Sequence, residues 1–209
     1  MKRIRNMSIM IMAFILCLYG SPTYSALDAK EEAYYTQYKT ILQNMKKGME
    51  SAPTTGDATL DFLYEMIPHH EAAVLMSKNI LKYGSNEQVK QIAGNIIKEQ
   101  IKGIREMKML LNQLKSKPIV DKKKEAKYLQ GYKKAYVKMI HSMEKALPTG
   151  NIDKDFLEEM IPHHEGAIMM ARNILKYTKN AELKAIAENI TISQQKQLIE
   201  MKQLLKTLS

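Results

Sequence analysis

The sequence predicts an all-α fold, a helical bundle made of two tandem three-helix repeats that pack together as one body. Apolar residues recur at the helical spacing of three and four positions along every long segment after residue 25. The alternation of apolar and polar residues that is typical of strands is absent there, and β-branched residues are sparse. Residues 38–115 align without a gap with residues 132–209, so the same helices are expected twice.

The N-terminal segment, residues 1–25, is expected to be a signal peptide with cleavage after Ser25. Lys2, Arg3 and Arg5 form its positively charged start, and residues 7–19 form an apolar stretch that is short for a membrane span. No later apolar run is long enough to cross a membrane. The sequence therefore predicts an exported protein, periplasmic or secreted, with no membrane anchor after cleavage.

The mature chain is expected to form one domain from both repeats. Its predicted parts are repeat 1 at residues 26–115, a linker at 116–121, and repeat 2 at 122–209. A linker this short should hold the repeats against each other. The predicted helices lie at about 28–51, 58–83 and 86–115 in the first repeat, and at about 122–146, 152–177 and 180–207 in the second.

Start and stop signals place the ends of these predicted helices. Asp57 or Thr59 is expected near the N-cap of the second helix, and Gly84 should end that helix. Ser85 is followed three residues later by Gln88, a spacing that matches a capping box. Ser85 is therefore expected to be the N-cap of the third helix, which begins at about residue 86.

Charge and cysteine content exclude several classes of function. The full chain has a net charge of +10, and removal of the three basic residues of the signal peptide leaves +7. The lysines are spread among glutamates rather than gathered on a face with aromatic residues, so nucleic-acid binding is not expected. The single cysteine, Cys17, lies in the predicted signal peptide. Disulfides and thiolate ligands are therefore not expected in the mature protein.

One seven-residue motif, EMIPHHE, occurs twice, at residues 65–71 and 159–165. Each copy places a proline inside a predicted helix, where it removes a backbone hydrogen bond and costs about 3 kcal/mol. His70 falls in the middle of an apolar helix face and should lie level with Gln100 of the next helix. Buried polar side chains need partners, so this cross-section of the bundle is a candidate site.

Helical spacing allows the methionine and the histidines of each motif to bind one ion. Met66 precedes His69 by three residues and His70 by four, so either pair can converge on one side of the helix. Thioether and imidazole donors without thiolates suit copper, with Cu(I) favoured and Ag(I) or Cu(II) as alternatives. The predicted ligands are Met66, His69, His70, Met160, His163 and His164, with Met45, Met49, Met139, Met143, Met107 and Met201 as second choices.

Other interpretations compete with copper binding. Methionine at helical spacing is usually core filler, and a histidine on an apolar face is usually a hydrogen-bonded structural residue. The main rival is therefore a metal-free envelope bundle, a structural or protein-interaction module in which His and Gln form a buried polar network. Tyr38 and Gln100 are expected to orient the imidazoles. Asn79 is expected either to do the same or to form a hydrogen bond at the surface or between helices, rather than to act as a ligand. An enzyme is not predicted, because the sequence has no Ser/His/Asp or Cys/His arrangement and no paired acids, and a metal-dependent oxidase or hydrolase is a weaker rival.

The residues in and around both motifs resemble domain of unknown function family 305. The pattern is F-L-x-x-M-I-P-H-H-[EQ]-x-A-[IV]-x-M, followed in the next helix by Gln and, seven residues later, Met; the match covers nearly the whole mature chain. The resemblance implies a ferritin-like bundle with Met and His ligands and a role in periplasmic copper binding and resistance. A Glu that is common in the family is replaced here by Gly103 in one repeat and Gln197 in the other. We therefore expect an exported protein that sequesters Cu(I) or Ag(I), or a copper chaperone whose partner is another copper protein.

Overall fold

A computed structural model of the protein describes residues 27–208. Within that range it contains six α-helices and no strand, which confirms the all-α prediction. The predicted signal peptide lies outside the described residues. The helices are α1 (Ala29–Glu50), α2 (Ala58–Tyr83), α3 (Glu87–Leu114), α4 (Lys122–Glu144), α5 (Ile152–Ile174) and α6 (Ala181–Leu205).

The helix ends follow the sequence signals with two exceptions. The α2 helix begins after Asp57, whose carboxylate accepts a backbone hydrogen bond from the first turn. The α3 helix begins after Asn86 and not after Ser85, because the Asn86 side chain accepts the first-turn N–H bonds while Ser85 donates to Asp153 of α5. The α5 helix ends at Ile174 in a turn, about three residues earlier than predicted.

Helices α2 and α5 lie at the centre of the bundle and pack against each other. The α1 and α3 helices pack on α2, the α4 and α6 helices pack on α5, and α3 also packs on α6. Helices α2, α3, α5 and α6 thus form a four-helix ring, with α1 and α4 on its flank. Apolar residues from both repeats make one continuous core, around fully buried residues such as Phe62, Leu63, Phe156 and Leu157.

Buried tyrosine–glutamate hydrogen bonds connect the two repeats. The Tyr34 hydroxyl of α1 donates to Glu159 of α5 at 2.5 Å. At the equivalent positions, the Tyr128 hydroxyl of α4 donates to Glu65 of α2. Both bonds cross from a flanking helix of one repeat to the central helix of the other, so they fix how the repeats dock.

One asparagine in each repeat joins the flanking helix to the central helix of the same repeat. The Asn79 side chain donates to the Tyr34 carbonyl at 3.0 Å, and the Asn173 side chain donates to the Tyr128 carbonyl at 2.9 Å. The Asn79 amide thus forms an inter-helix hydrogen bond, which was one of the two roles expected for it, and does not orient an imidazole. Among residues 27–208, no helix has the length and apolarity that a membrane span requires.

Candidate metal centre

The two histidine pairs meet where α2 and α5 pack together. The rings of His69 and His163 are in contact, with their centroids 3.8 Å apart and their planes tilted by 33°. His70 lies 5.9 Å from His69, and His164 lies 5.9 Å from His163, measured between ring centroids. Ring contacts therefore link the four imidazoles in the order His70, His69, His163, His164, and we call this cluster the histidine row.

The local sequence explains why the histidine row is buried. Both central helices continue through their prolines, Pro68 and Pro162, so the histidines remain in register with the apolar face. Met66 and Met160 lie one turn before the histidines and are completely buried. The row is likewise inaccessible, since only His70 has any exposed surface, 2% of its total. Any ligand of these imidazoles must therefore enter the protein interior.

A methionine of repeat 2 contacts a histidine of repeat 1. The Met139 sulfur of α4 lies 3.2 Å from Nε2 of His69. Gly166 of α5 makes this approach possible, because a methyl group at that position would overlap the Met139 side chain. The corresponding residue in repeat 1 is Ala72, so the sequence itself contains this difference between the repeats.

The other ring nitrogens of the row have unequal partners. His163 Nε2 lies 3.1 Å from the His69 carbonyl oxygen, and His164 Nε2 lies 2.9 Å from Oε1 of Gln197. All four Nδ1 atoms are buried without a hydrogen-bond partner among residues 27–208. Buried imidazole nitrogens without partners are costly, and a bound cation is one way to satisfy them.

Burial keeps the histidine row neutral. It lowers the pKa of His70 to about 3, assisted by the nearby His164, and it lowers the pKa of His164 to about 4. The pKa values of His69 and His163 are also lowered, first by burial and then by the neighbouring histidines. Neutral imidazoles keep a free lone pair at neutral pH, which is the form that binds metals.

Buried carboxyls close to the row were not identified from the sequence. Burial raises the pKa of the Glu65 carboxyl from its ordinary value of 4.5 to about 8, although the hydrogen bond from Tyr128 opposes that shift. Burial also raises the pKa of Glu159 well above its ordinary value, against a hydrogen bond from Tyr34. Both glutamates begin the EMIPHHE motif, and their cross-repeat tyrosine partners could not be read from helical periodicity.

The second glutamate of each motif lies on the surface. Glu71 pairs with Lys108, and Glu165 pairs with Lys202, each at 2.6 Å between the charged atoms. These ion pairs join α2 to α3 and α5 to α6. They are half-exposed, so their contribution to stability is small, about 0–1 kcal/mol each.

All twelve predicted ligand residues lie in the core, but the structure groups them differently from the expected arrangement within one repeat. His69 meets Met139 and His163 of the other repeat, so the histidines form one cluster rather than two. The Tyr38 hydroxyl donates to the Met143 carbonyl at 2.8 Å, so its expected role in orienting an imidazole is wrong. The remaining predicted ligands, each at most 3% exposed, are Met45, Met49, Met66, Met107, Met143, Met160, Met201, His70 and His164.

The donor set of the site is soft. Within residues 27–208, no three His, Cys, Asp or Glu side chains converge on a common point for a metal ion. A metal held at the histidine row would therefore use thioether sulfur beside imidazole nitrogen, or would require the side chains to move. Thioether ligands select Cu(I) and similar soft ions over Zn²⁺ or Mn²⁺.

The family model described as "Domain of unknown function (DUF305)" matches residues 59–205. The chain belongs to the DUF305 family. The matched segment contains both EMIPHHE motifs, all of α2 except its first residue, and the four complete helices α3 to α6. The resemblance found in the sequence is thereby confirmed.

Solved structures similar to this DUF305 protein include CopM in several metal-bound forms. CopM in the Cu(II)-bound form is 29% identical, with a TM-score of 0.56, over 72% of this chain and 97% of that chain. CopM in the Cu(I)-bound form is 28% identical, with a TM-score of 0.55, over 72% and 96%. CopM has also been solved in apo and Ag-bound forms.

Two further matches extend the comparison. A DUF305 fragment from Deinococcus radiodurans is 23% identical, with a TM-score of 0.54, over 72% of this chain and 96% of that chain, a likeness that shows the fold alone. The uncharacterized protein L153 of Acanthamoeba polyphaga mimivirus is 45% identical over 53 residues. That match spans 25% of this chain and about a third, 35%, of the viral protein.

Proposed function

We propose that this DUF305 protein is an exported copper-binding protein that holds Cu(I) at the histidine row, either to sequester it or to deliver it as a chaperone. The observation that carries the proposal is the contact of His69 with both His163 and the Met139 sulfur. Imidazole and thioether groups meet there in the core, and the Nδ1 atoms have no partner among the described residues. Ag(I) fits the same donors, and Cu(II) is the less favoured ion.

Three features support copper as cargo. The histidines are neutral at physiological pH, so binding does not require a proton to leave first. No cysteine occurs after residue 17, so the soft donors are methionines, which tolerate an oxidising compartment better than thiols do. CopM, a similar protein of the same fold, has been solved with Cu(I), Cu(II) and Ag bound.

The proposed ligands are those that the motif predicts. We propose Met66, His69 and His70 with Met160, His163 and His164, and we add Met139 from the second-choice group because of its contact with His69. We propose a binding role rather than a catalytic one, since nothing in the cluster resembles a nucleophile beside its base. The signal peptide, and hence the periplasmic or secreted location, is part of this proposal.

One observation favours the metal-free alternative, a structural or protein-interaction bundle. His163 and His164 already have hydrogen-bond partners at one nitrogen each, the His69 carbonyl and Gln197. Such bonds are what a buried polar network that fixes helix register would show. The two functions differ in whether the isolated protein binds a soft metal tightly.

An anaerobic titration with Cu(I) against a competing chelator separates these functions. The mature protein should bind at least one Cu(I) that the chelator cannot remove, because soft donors are gathered in a buried site. The variant with His69, His70, His163 and His164 all changed to alanine should lose that binding. His141→Ala is the matched control, since His141 is the fifth histidine and lies exposed on α4. Equal, chelator-limited binding in all three proteins would exclude the copper function.

A further inference from the structure

The two ends of the histidine row differ at one pair of equivalent positions. At one end, the Gln197 side chain of α6 lies against His164 with 2.9 Å between Oε1 and Nε2. At the other end, the corresponding residue of α3 is Gly103, which faces His70. A methyl group on Gly103 would lie 3.2 Å from Cδ2 and 3.4 Å from Nε2 of His70. His70 therefore has no side chain beside it at the position where Gln197 contacts His164.

Gly103 and His70 both line a small surface pocket between α3 and α6. His70 lines the pocket, and His70 is the member of the histidine row with exposed surface, 2% against 0% for the other three. The pocket has a volume of about 20 Å³, enough for about one water molecule or an ion of similar size. A small cation could therefore reach His70 without the helices separating.

Oxygen atoms line the same pocket. Gln100 and Gln194 are both buried, and their Oε1 atoms have no hydrogen-bond partner within residues 27–208. Glu99 and Glu106 also line the pocket, beside Lys102. Unpaired amide oxygens and carboxylates attract a cation, and they can replace part of its water shell as it leaves solvent.

We propose that this pocket is the access route for the metal, with His70 as the first ligand that the ion meets. The inference rests on the proposed copper binding and deepens it. The ion passes between Gln100 and Gln194 and reaches Nε2 of His70. No side chain covers this atom from position 103, because that residue is glycine. It then moves along the row to His69, where the Met139 sulfur lies. Gln197 closes the opposite end by covering His164, so uptake is one-sided.

The test exchanges the residues at the two ends. Gly103→Gln should close the pocket and slow the uptake of Cu(I) at least about tenfold, because the ion must wait for the helices to open. Gln197→Gly should expose His164 and raise the rate about twofold by adding a second route. The double variant G103Q/Q197G should recover most of the wild-type rate, now through His164. The rate is measured by stopped-flow transfer of Cu(I) from a chromophoric chelator at several protein concentrations, which yields the second-order rate constant.

Gly94→Gln is the matched control for this experiment. Gly94 lies on the same helix, has no atom within 4 Å of an added methyl group, and is exposed. The Gly94→Gln variant should take up Cu(I) at the wild-type rate, although its helix propensity increases as much as that of Gly103→Gln. Equilibrium Cu(I) affinity is measured for every variant, so that a slower rate is not confused with a weaker site.

A second readout needs no metal. In wild-type protein, the Cδ2 proton of His70 should show NMR cross-relaxation with water, and that of His164 should not; G103Q/Q197G should reverse this pattern. If wild-type protein binds Cu(I) and G103Q takes it up at the wild-type rate, the access route is wrong while the copper function stands. If wild-type protein binds no Cu(I), the copper function is wrong and this route for the metal is excluded with it.

Discussion

Replacing both Glu65 and Glu159 by glutamine should stabilise the protein at pH 8. The pKa of Glu65 is raised by burial from 4.5 to about 8, and that of Glu159 is raised as well. A carboxyl with a raised folded-state pKa contributes stability that is fully present below pH 4.5 and is lost as the pH rises to about 8. Glutamine keeps the neutral shape and still accepts the tyrosine hydrogen bond. The unfolding free energy at pH 8 should therefore rise, by about 4 kcal/mol from Glu65 alone.

The measurement is urea unfolding followed by circular dichroism between pH 5 and pH 8. Wild-type protein should lose stability across this range, and the double variant should lose much less of it. Glu71→Gln with Glu165→Gln is the matched control, since these residues belong to the same motifs but form surface pairs with Lys108 and Lys202. The control should lose as much unfolding free energy between pH 5 and pH 8 as the wild-type protein does. If the stability of the double Glu65/Glu159 variant decreases with pH as steeply as that of wild type, these carboxyls are ionised in the folded protein.

The histidine row should make the protein less stable in acid. The pKa of His70 is lowered to about 3 and that of His164 to about 4, both first by burial. A histidine with a lowered pKa contributes stability above its ordinary value of 6.5 that is lost as the pH falls toward the folded-state value. Together with the glutamates, this predicts that metal-free protein is most stable between about pH 4.5 and 6.5.

Changing Met66, Met139 and Met160 to leucine should weaken Cu(I) binding without unfolding the protein. Leucine has nearly the volume of methionine, so each buried substitution costs less than about 1.5 kcal/mol. It removes the thioether sulfur, however, and loss of a ligand should cost at least about as much affinity as loss of a supporting residue, 10–100-fold. For three methionines we expect at least about a hundredfold loss in Cu(I) affinity, measured by competition with a chelator under anaerobic conditions.

Met76→Leu with Met170→Leu is the matched control for this prediction. Both methionines are buried in the core, at 1% and 0% exposure, on the same two central helices. They should tolerate leucine with wild-type copper affinity. If the methionines of the motif only fill the core, both sets of variants will bind copper equally well, and the thioethers are not ligands.

Much of the fold follows from local sequence signals. Periodicity and the breaks at Gly84 and Asp57 place six helices, because each helix buries one apolar face and ends where its caps allow. The start of α3 was misplaced by one residue, since Ser85 and Asn86 are both good N-caps. Asp153 of the other repeat decides between them by binding Ser85, and no local pattern carries that contact.

Sequence reasoning predicts contacts between the helices of one repeat but not the contacts between the two repeats. Simple hairpin geometry placed His70 beside Gln100, and both line one pocket. The contact of His69 with His163 depends on how α2 docks on α5, which the helical period does not determine. One difference between the repeats that shapes the site can, however, be read from the sequence. Gly166 against Ala72 admits Met139 to the row.

X-ray absorption at the copper edge, on protein loaded with one equivalent of Cu(I), distinguishes a mixed nitrogen and sulfur site from a site without sulfur. We expect both nitrogen and sulfur in the first coordination shell, because the ion should bind imidazole and thioether together at the histidine row. The sulfur contribution should fall in the variant with Met66, Met139 and Met160 changed to leucine. A shell of nitrogen or oxygen alone, unchanged in that variant, would contradict the mixed site.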